Sequence, residues 1–282
     1  MNSNPEINHN FLADDDLSIY YRHRPAENEV ARMVIAHGLG EHSGRYAHVI
    51  DHIVKLGISV WAIDHRGHGQ SEGKRGHIDS IDQYLQDLHK LIEITKTNMP
   101  AKMKFFLLGH SMGGLIVLNL VEKYPDIADG VIASSPGLNP GMKVPVIKGA
   151  VAKILSRVLP ALTFDNELDS SFLSHDHQVV KTYDSDPLVH RNITARWFTE
   201  FFDAMTKTKL FAPTITMPVL MQVAGDDRLV HAETSRDFFK SLKTLDKTLF
   251  FYEHLYHEIY NEQAEDRKKV LNDLINWLND RI

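Results

Sequence analysis

The chain has 282 residues, 43% of them hydrophobic, and a formal net charge of −6. That length and apolar share suit one large α/β domain with a sizeable core, and an acidic balance without a basic run argues against nucleic acid as a partner. Cysteine is absent, which excludes disulfides and thiolate metal sites and makes a reducing, cytoplasmic setting the default.

In chain order, residues 1–10 are polar and lack the apolar core of a signal peptide. No stretch approaches the roughly 18 uncharged apolar residues of a membrane-spanning helix. Residues 17–23 read as an early strand. Residues 30–36 are a short, mostly apolar run ending in His37-Gly38-Leu39-Gly40, as suits a buried parallel strand. Tyr46, Val49, Ile50 and Ile53 recur at helical spacing, and Gly57 closes that helix. Residues 58–63 predict the next strand, before the turn Asp64-His65-Arg66-Gly67-His68-Gly69. Ser80 with Gln83 forms a capping box ahead of a helix carrying Tyr84, Leu85, Leu88, Leu91 and Ile92. Residues 105–108 are another apolar run, and Gly109-His110-Ser111-Met112-Gly113 joins it to a helix that begins near Leu115 and stops before Pro125. A strand over 130–133 follows.

This alternation predicts a mostly parallel sheet of roughly eight strands with right-handed crossovers and helices on both faces. Ligands of such sheets bind beyond the carboxyl ends of the strands, where the turns at Gly38, Gly109 and Asp227 would lie. The rhythm breaks after Ser135, and no strand is expected between Pro136 and Leu210. The division expected is a core of residues 1–135 and 211–282 with a helical cap, residues 136–210, inserted above the sheet. Within the insert, Val144, Ile147, Val151, Ile154, Leu155, Val158 and Leu162 fall on one helical face, with Lys148, Lys153, Ser156 and Arg157 off it. Such a helix either packs its apolar face on the core or belongs to a cap, where that face lines an acyl-chain pocket or touches lipid. Its place between two sheet strands favours the cap. Trp197, Phe198, Phe201 and Phe202 add bulky apolar surface.

Residues 219–224 restore the sheet and end in Gly225-Asp226-Asp227-Arg228-Leu229-Val230. A helix around Phe238, Phe239 and Leu242, a strand over 248–252, His257 in the loop beyond it and a helix with Val270, Leu271, Leu274, Ile275 and Leu278 complete the chain.

Gly-x-Ser-x-Gly between strand and helix is a nucleophile elbow. The reversal forces Ser111 into strained backbone angles and crowds the flanking positions, where only glycine lacks the offending Cβ. It also aims the Met112 amide, at a helix N-terminus, toward an oxyanion forming at Ser111. A serine hydroxyl needs an adjacent base, and the base needs an orienting acid. The loops after the last two strands supply Asp226 or Asp227 as the acid. The same loops supply His257 as the base, with His254 as a competitor closer to its strand. The histidine would take the serine proton and return it to the leaving group, while the aspartate holds the imidazole tautomer. His175-Asp176-His177 has strand-like ligand spacing, but no third ligand is evident, so no metal is expected there.

Four stretches together are more specific than the elbow. They are residues 37–46 (His-Gly-Leu-Gly-Glu-His-Ser-Gly-Arg-Tyr), residues 64–73 (Asp-His-Arg-Gly-His-Gly-Gln-Ser-Glu-Gly), the Gly-His-Ser-Met-Gly elbow, and Asp227-Arg228-Leu229. They resemble the monoacylglycerol lipase and lysophospholipase branch of the α/β-hydrolases, over nearly all of the chain outside the insert. The resemblance implies the α/β-hydrolase fold, a Ser111, Asp227, His257 triad, and an oxyanion hole from the backbone N–H groups of Leu39 and Met112. It implies catalysis without cofactor or metal. It sets Glu41 and Arg45 near the alcohol-binding end, either orienting a glycerol-like leaving group or paired in a salt bridge that props the loop. Tyr260 departs from the family, which often has histidine three residues beyond the catalytic one.

The expected function is a serine ester hydrolase that cleaves a monoacylglycerol, or a similar lipid ester, to fatty acid and glycerol through an acyl-serine. A lysophospholipase, a general carboxylesterase or thioesterase, an acyltransferase and a non-catalytic binding module are the alternatives. The partners expected are a lipid-ester substrate and, through the cap, transient contact with a membrane surface, so that a cytoplasmic protein would also act peripherally at a membrane.

Overall fold

A computed structural model describes residues 5–141 and 146–282. The apolar runs become strands of one eight-stranded sheet: β1 (Ile7–Leu12), β2 (Ser18–Arg24), β3 (Ala31–Ala36), β4 (Ile58–Ile63), β5 (Lys104–His110), β6 (Gly130–Ser134), and, after a separate two-stranded ribbon of β7 (Thr163–Asp165) and β8 (Asn192–Thr194), β9 (Val219–Ala224) and β10 (Lys247–Tyr252). The order across the sheet is β1-β2-β4-β3-β5-β6-β9-β10. β1 with β2 and β2 with β4 run antiparallel, and the remaining neighbours run parallel.

Every residue of β4, β6 and β9 is buried, which requires cover on both faces. Five helices supply it: α1 (Ala47–Ile53), α2 (Ile81–Lys96) and α3 (Met112–Lys123) early in the chain, and α7 (Ala232–Ser241) and α8 (Ala264–Asn279) at its end. Val49 and Ile53 of α1 and Val270 and Leu274 of α8 share one apolar cluster with Met33 and Ile35. Tyr84 and Leu88 of α2, Leu115 of α3 and Phe238 of α7 share the other with Val34 and Ala36. The period-2 alternation along β3 thus feeds two separate cores.

The stretch between β6 and β9 holds α4 (Val146–Val158), α5 (His177–Ser185) and α6 (Ala195–Phe211). Outside the sheet's centre one strand is added and one expectation is corrected. Strand β1 begins within the polar first ten residues, for which the sequence offered no strand. It is an edge strand with mostly exposed side chains, so burial left no apolar pattern in its sequence. Strands β7 and β8 lie where no strand was expected. Each is three residues long, and β7 is exposed throughout, too short to show a period.

Helix α4 bears on the readings left open for its apolar stripe. The Val144 and Ile147 side chains lie outside the described residues, but Val151, Ile154 and Val158 point outward, at 48%, 64% and 70% exposure, and Leu162 beyond the helix is exposed as well. Of the described residues that read as polar only Ser156 turns inward, while Lys153 and Arg157 are exposed and Leu155 of the apolar side is half-buried. Ser156 is buried, its Oγ lies 2.8 Å from Thr199 Oγ1 of α6, and its carbonyl accepts from the Arg196 guanidinium at 2.8 Å. The amphipathic pattern is real, but its apolar stripe faces away from the protein.

Candidate functional site

Ser111 sits where β5 reverses into α3, with φ +52° and ψ −115°. A side chain holds positive φ only at a cost that the surrounding fold must sustain. The fold does so by hydrogen bonds: Ser111 N donates to the Ser134 carbonyl at 3.0 Å, and Gly137 N donates to the Ser111 carbonyl at 2.8 Å. The two flanking glycines are needed for space. A Cβ on Gly113 would overlap the Ala36 carbonyl oxygen and stand 2.6 Å from that of His37, and one on Gly109 would overlap the Gly113 carbonyl.

The loops beyond β9 and β10 bring two further groups to the same edge. His257 Nδ1 lies 2.6 Å from Asp227 Oδ2, and Asp227 Oδ1 accepts from the Leu229 and Val230 amides, both at 2.9 Å. With three hydrogen bonds the carboxylate is fixed in orientation. A neutral His257 that donates Nδ1–H to it keeps its lone pair on Nε2. Burial disfavours protonation of His257, but the Asp227 charge and hydrogen bond outweigh it, with help from Glu258 and Glu41, and its pKa lies above the ordinary 6.5. The competing residues stand elsewhere. Asp226 turns to Arg228 at 3.4 Å, and His254 is exposed.

Ser111 and His257 line one cavity of about 300 Å³. Trp197, Phe201, Phe202 and Met205 of α6 form much of its apolar wall, with Leu229 and Val230 from the Asp227 loop. The Trp197 and Phe201 rings stack at 4.6 Å, and Trp197 Nε1 donates to Tyr84 OH at 3.1 Å. Of the four aromatic residues noted in the insert, Phe198 stacks on Phe202 at 4.2 Å, while Trp197, Phe201 and Phe202 face the site. No described side chain of α4 lines it, so the expectation that the α4 stripe forms a pocket wall does not hold.

Leu39 and Met112 also line the cavity. Met112 opens α3, where the first amides have no partner within the helix. Leu39 belongs to a loop tied down on both sides: Gly38 N donates to Glu41 Oε1 at 2.6 Å, and the Gly40 carbonyl accepts from His190 N at 2.9 Å.

Glu41 and Arg45 form a buried ion pair of 2.7 Å, which also involves a residue the sequence did not single out. Arg45 reaches Glu258 through both terminal nitrogens, at 2.5 and 2.6 Å, and its guanidinium stacks 4.8 Å from the Tyr183 ring. Tyr46 OH donates to Glu41 Oε1 at 2.7 Å. Burial pushes the Glu41 carboxyl up, but Arg45, His110, His37 and Tyr46 together hold it down at about 2. Burial, then the neighbouring His257, pushes His110 down to about 4, so that ring is neutral near pH 7. Tyr260 points away from the cavity into the core, its hydroxyl donating to Gln222 Oε1 at 2.6 Å.

Glu262 was also missed. Its fully buried carboxylate accepts from Tyr256 N at 2.7 Å, His175 N at 3.0 Å and the His175 ring at 2.8 Å. It thereby fastens the insert to the His257 loop, alongside the bond from Glu258 N to the Leu173 carbonyl at 2.8 Å. His175 thus has a structural partner, and among the described residues no group of three or more ligands stands ready for a metal.

Residues 27–264 match the family model described as serine aminopeptidase, S33. The chain belongs to that family. It is 35% identical over 250 residues to the monoacylglycerol lipase of Mycolicibacterium smegmatis, covering 87% of each protein. It is 34% identical over 248 residues to phospholipase YtpA of Bacillus subtilis, covering 86% of this chain and 93% of that one. It also spans 29% of the length of an uncharacterised abhydrolase domain-containing protein of Dictyostelium discoideum, at 34% identity. Among solved structures, the monoacylglycerol lipase of Paleococcus ferrophilus superposes with a TM-score of 0.86 at 38% identity, over 93% of this chain and 98% of that one. The eight-stranded, mostly parallel sheet is the α/β-hydrolase fold, as expected for an S33 family member.

Proposed function

We propose that the chain is a serine ester hydrolase that cleaves monoacylglycerol to fatty acid and glycerol. The observation that carries this reading is the 2.6 Å bond that Asp227 makes to His257, which shares with Ser111 one cavity, apolar on one side and acidic on the other. Ser111 Oγ attacks the ester carbonyl as His257 Nε2 takes its proton. The amides of Leu39 and Met112 stabilise the oxyanion, and the imidazolium, held by Asp227, protonates the leaving alcohol. Water then repeats the sequence on the acyl-serine. Residues 136–210 act as the cap of this enzyme, with α6 supplying the acyl-chain wall.

The pH dependence follows from His257. Protonated imidazole cannot accept the serine proton, so activity is lost as pH falls through the His257 pKa, which lies above 6.5. A kcat/KM profile on a soluble ester is expected to show its acid limb there. Asp227→Asn removes the upward push, so the limb moves to lower pH while kcat falls by about 10⁴-fold through loss of the tautomer. A profile flat from pH 5 to 9 contradicts the assignment.

We infer further that the outward stripe of α4 rests on a lipid surface. Val151, Ile154 and Val158 are flanked by exposed Lys153 and Arg157, the pattern of a helix lying in an anionic lipid interface. No described helix is long and apolar enough to cross a bilayer. Fatty-acid release from long-chain monoacylglycerol in anionic vesicles tests both readings. The wild-type protein is expected to release fatty acid. The double variant Ile154→Asp, Val158→Asp is expected to lose at least tenfold more activity on vesicles than on a soluble short-chain ester. Equal losses on both would overturn the lipid contact, and no release by the wild type would overturn the substrate.

A further inference from the structure

The cavity's polar end is built from Glu41, Arg45 and Glu258, and their arrangement is asymmetric. Both carboxylates line the cavity that holds Ser111. Arg45 instead lines a small adjoining recess with Tyr46, His48 and Tyr260, so its guanidinium lies behind the two acids. All three are buried, and two carboxylates against one guanidinium leave a formal charge of −1. The neighbouring groups do not cancel it. In the active form His257 is neutral, His110 is neutral near pH 7, Tyr46 and Tyr183 are uncharged, and Asp227 adds a third carboxylate beneath His257. Arg228 is the one permanent cation among the described lining residues. It is exposed, faces Asp226, and is held over the Phe172 and Tyr256 rings.

We infer that Glu41 and Glu258 make this end of the site a selector of leaving alcohols, accepting neutral polyols and cationic alcohols and rejecting alcohols that carry a phosphate. The inference rests on the ester-hydrolase reading and refines it. Once the acyl chain takes the apolar wall and the carbonyl lies at Ser111, the alcohol has the acidic end left to it. The hydroxyls of a polyol donate hydrogen bonds, and a carboxylate is an acceptor with more lone pairs than its internal partners use. A phosphate monoester brings like charge, about −1.5 to −2 near pH 7, into a site shielded from water, where screening is weak. Glu258 is the sharper determinant. Glu41 is held by Gly38 N, Tyr46 OH and Arg45 as part of the loop that carries Leu39. Glu258 contributes its charge through Arg45 and Asn261 alone among the side-chain bonds described.

The test compares three soluble butyrate esters, of glycerol, choline and glycerol 3-phosphate, with the wild-type chain and with Glu258→Gln. The isosteric amide changes one charge, and fluorophosphonate labelling of Ser111 in both proteins identifies the folded, competent fraction to which rates are normalised. For the wild type, kcat/KM on the glycerol and choline esters should exceed that on the glycerol phosphate ester by about tenfold or more. In Glu258→Gln the ratio of phosphate ester to glycerol ester should rise by about tenfold, and that of choline ester to glycerol ester should fall. A wild-type rate on the phosphate ester equal to that on the glycerol ester overturns the inference and leaves ester hydrolysis standing. An unchanged ratio in Glu258→Gln overturns the role of Glu258. Failure to hydrolyse any of the three while Ser111 still labels removes the reading on which the inference rests.

Discussion

Ser111→Ala is expected to lower kcat on any ester substrate by about 10⁶-fold, the scale seen when the nucleophile of a cooperating triad is removed, while the protein keeps its fold. The stability half of the expectation is local. Residue 111 holds φ +52° through its own amide and carbonyl, bonded to Ser134 and Gly137, and neither bond uses the side chain. Alanine carries the same Cβ as serine and adds no strain. Its removal of one partly exposed hydroxyl leaves no buried group unpaired. The measurement is paired: turnover and fluorophosphonate labelling should both disappear, and the thermal midpoint should move by no more than a few degrees. Residual turnover above about 1% of wild type with labelling lost would mean that another group attacks the ester.

Gly113→Val is expected to fail in the opposite way, through the fold. Position 113 lies one residue into α3, where it faces the end of β3. A Cβ there overlaps the Ala36 carbonyl oxygen and crowds that of His37, and both are backbone atoms of the sheet's centre. Rotamer changes cannot relieve such a clash. Either α3 lifts from the sheet or β3 shifts in its pairing with β4 and β5. Substitutions of this kind cost about 4 kcal/mol or more, against a typical domain stability of roughly 5–15 kcal/mol. Urea denaturation should show a large loss of stability, or the protein should be recovered only in aggregates. A soluble, fully active Gly113→Val would show that the elbow is looser than its contacts indicate.

The central sheet was legible because its strands are buried on both faces and announce themselves as short apolar runs between turns. The same holds for the elbow, where the strand, the two glycines and the helix each leave a mark within a dozen residues. His257 and Asp227 were legible as loop residues after late strands, although choosing Asp227 over Asp226 depended on family resemblance. The 2.6 Å pair with His257 now supplies a geometric reason. What stayed hidden is what a linear pattern does not carry. The orientation of α4 is one case, since a hydrophobic stripe gives a period and not the direction in which it points. The partners of Arg45 are another. Glu41 is four residues away and was noticed, whereas Glu258 lies 213 residues along the chain and meets Arg45 only through the sheet. Strand β1 was missed because an exposed edge strand needs no apolar side chains.

The seam between the insert and the His257 loop constrains how such an enzyme can diversify. His257 N and Glu258 N donate to the Phe172 and Leu173 carbonyls, and the Glu262 carboxylate spans Tyr256 and His175. On the function proposed above, the insert that walls the acyl pocket and the loop that carries the base are therefore not independent modules. A graft that exchanged the whole insert for that of a relative would also replace the backbone against which the base is seated, and so would alter the chemistry together with the choice of substrate. Residues 172–176 are the portion a graft must retain. The α4 stripe and the aromatic wall of α6 share none of these bonds, and they are the portions free to vary.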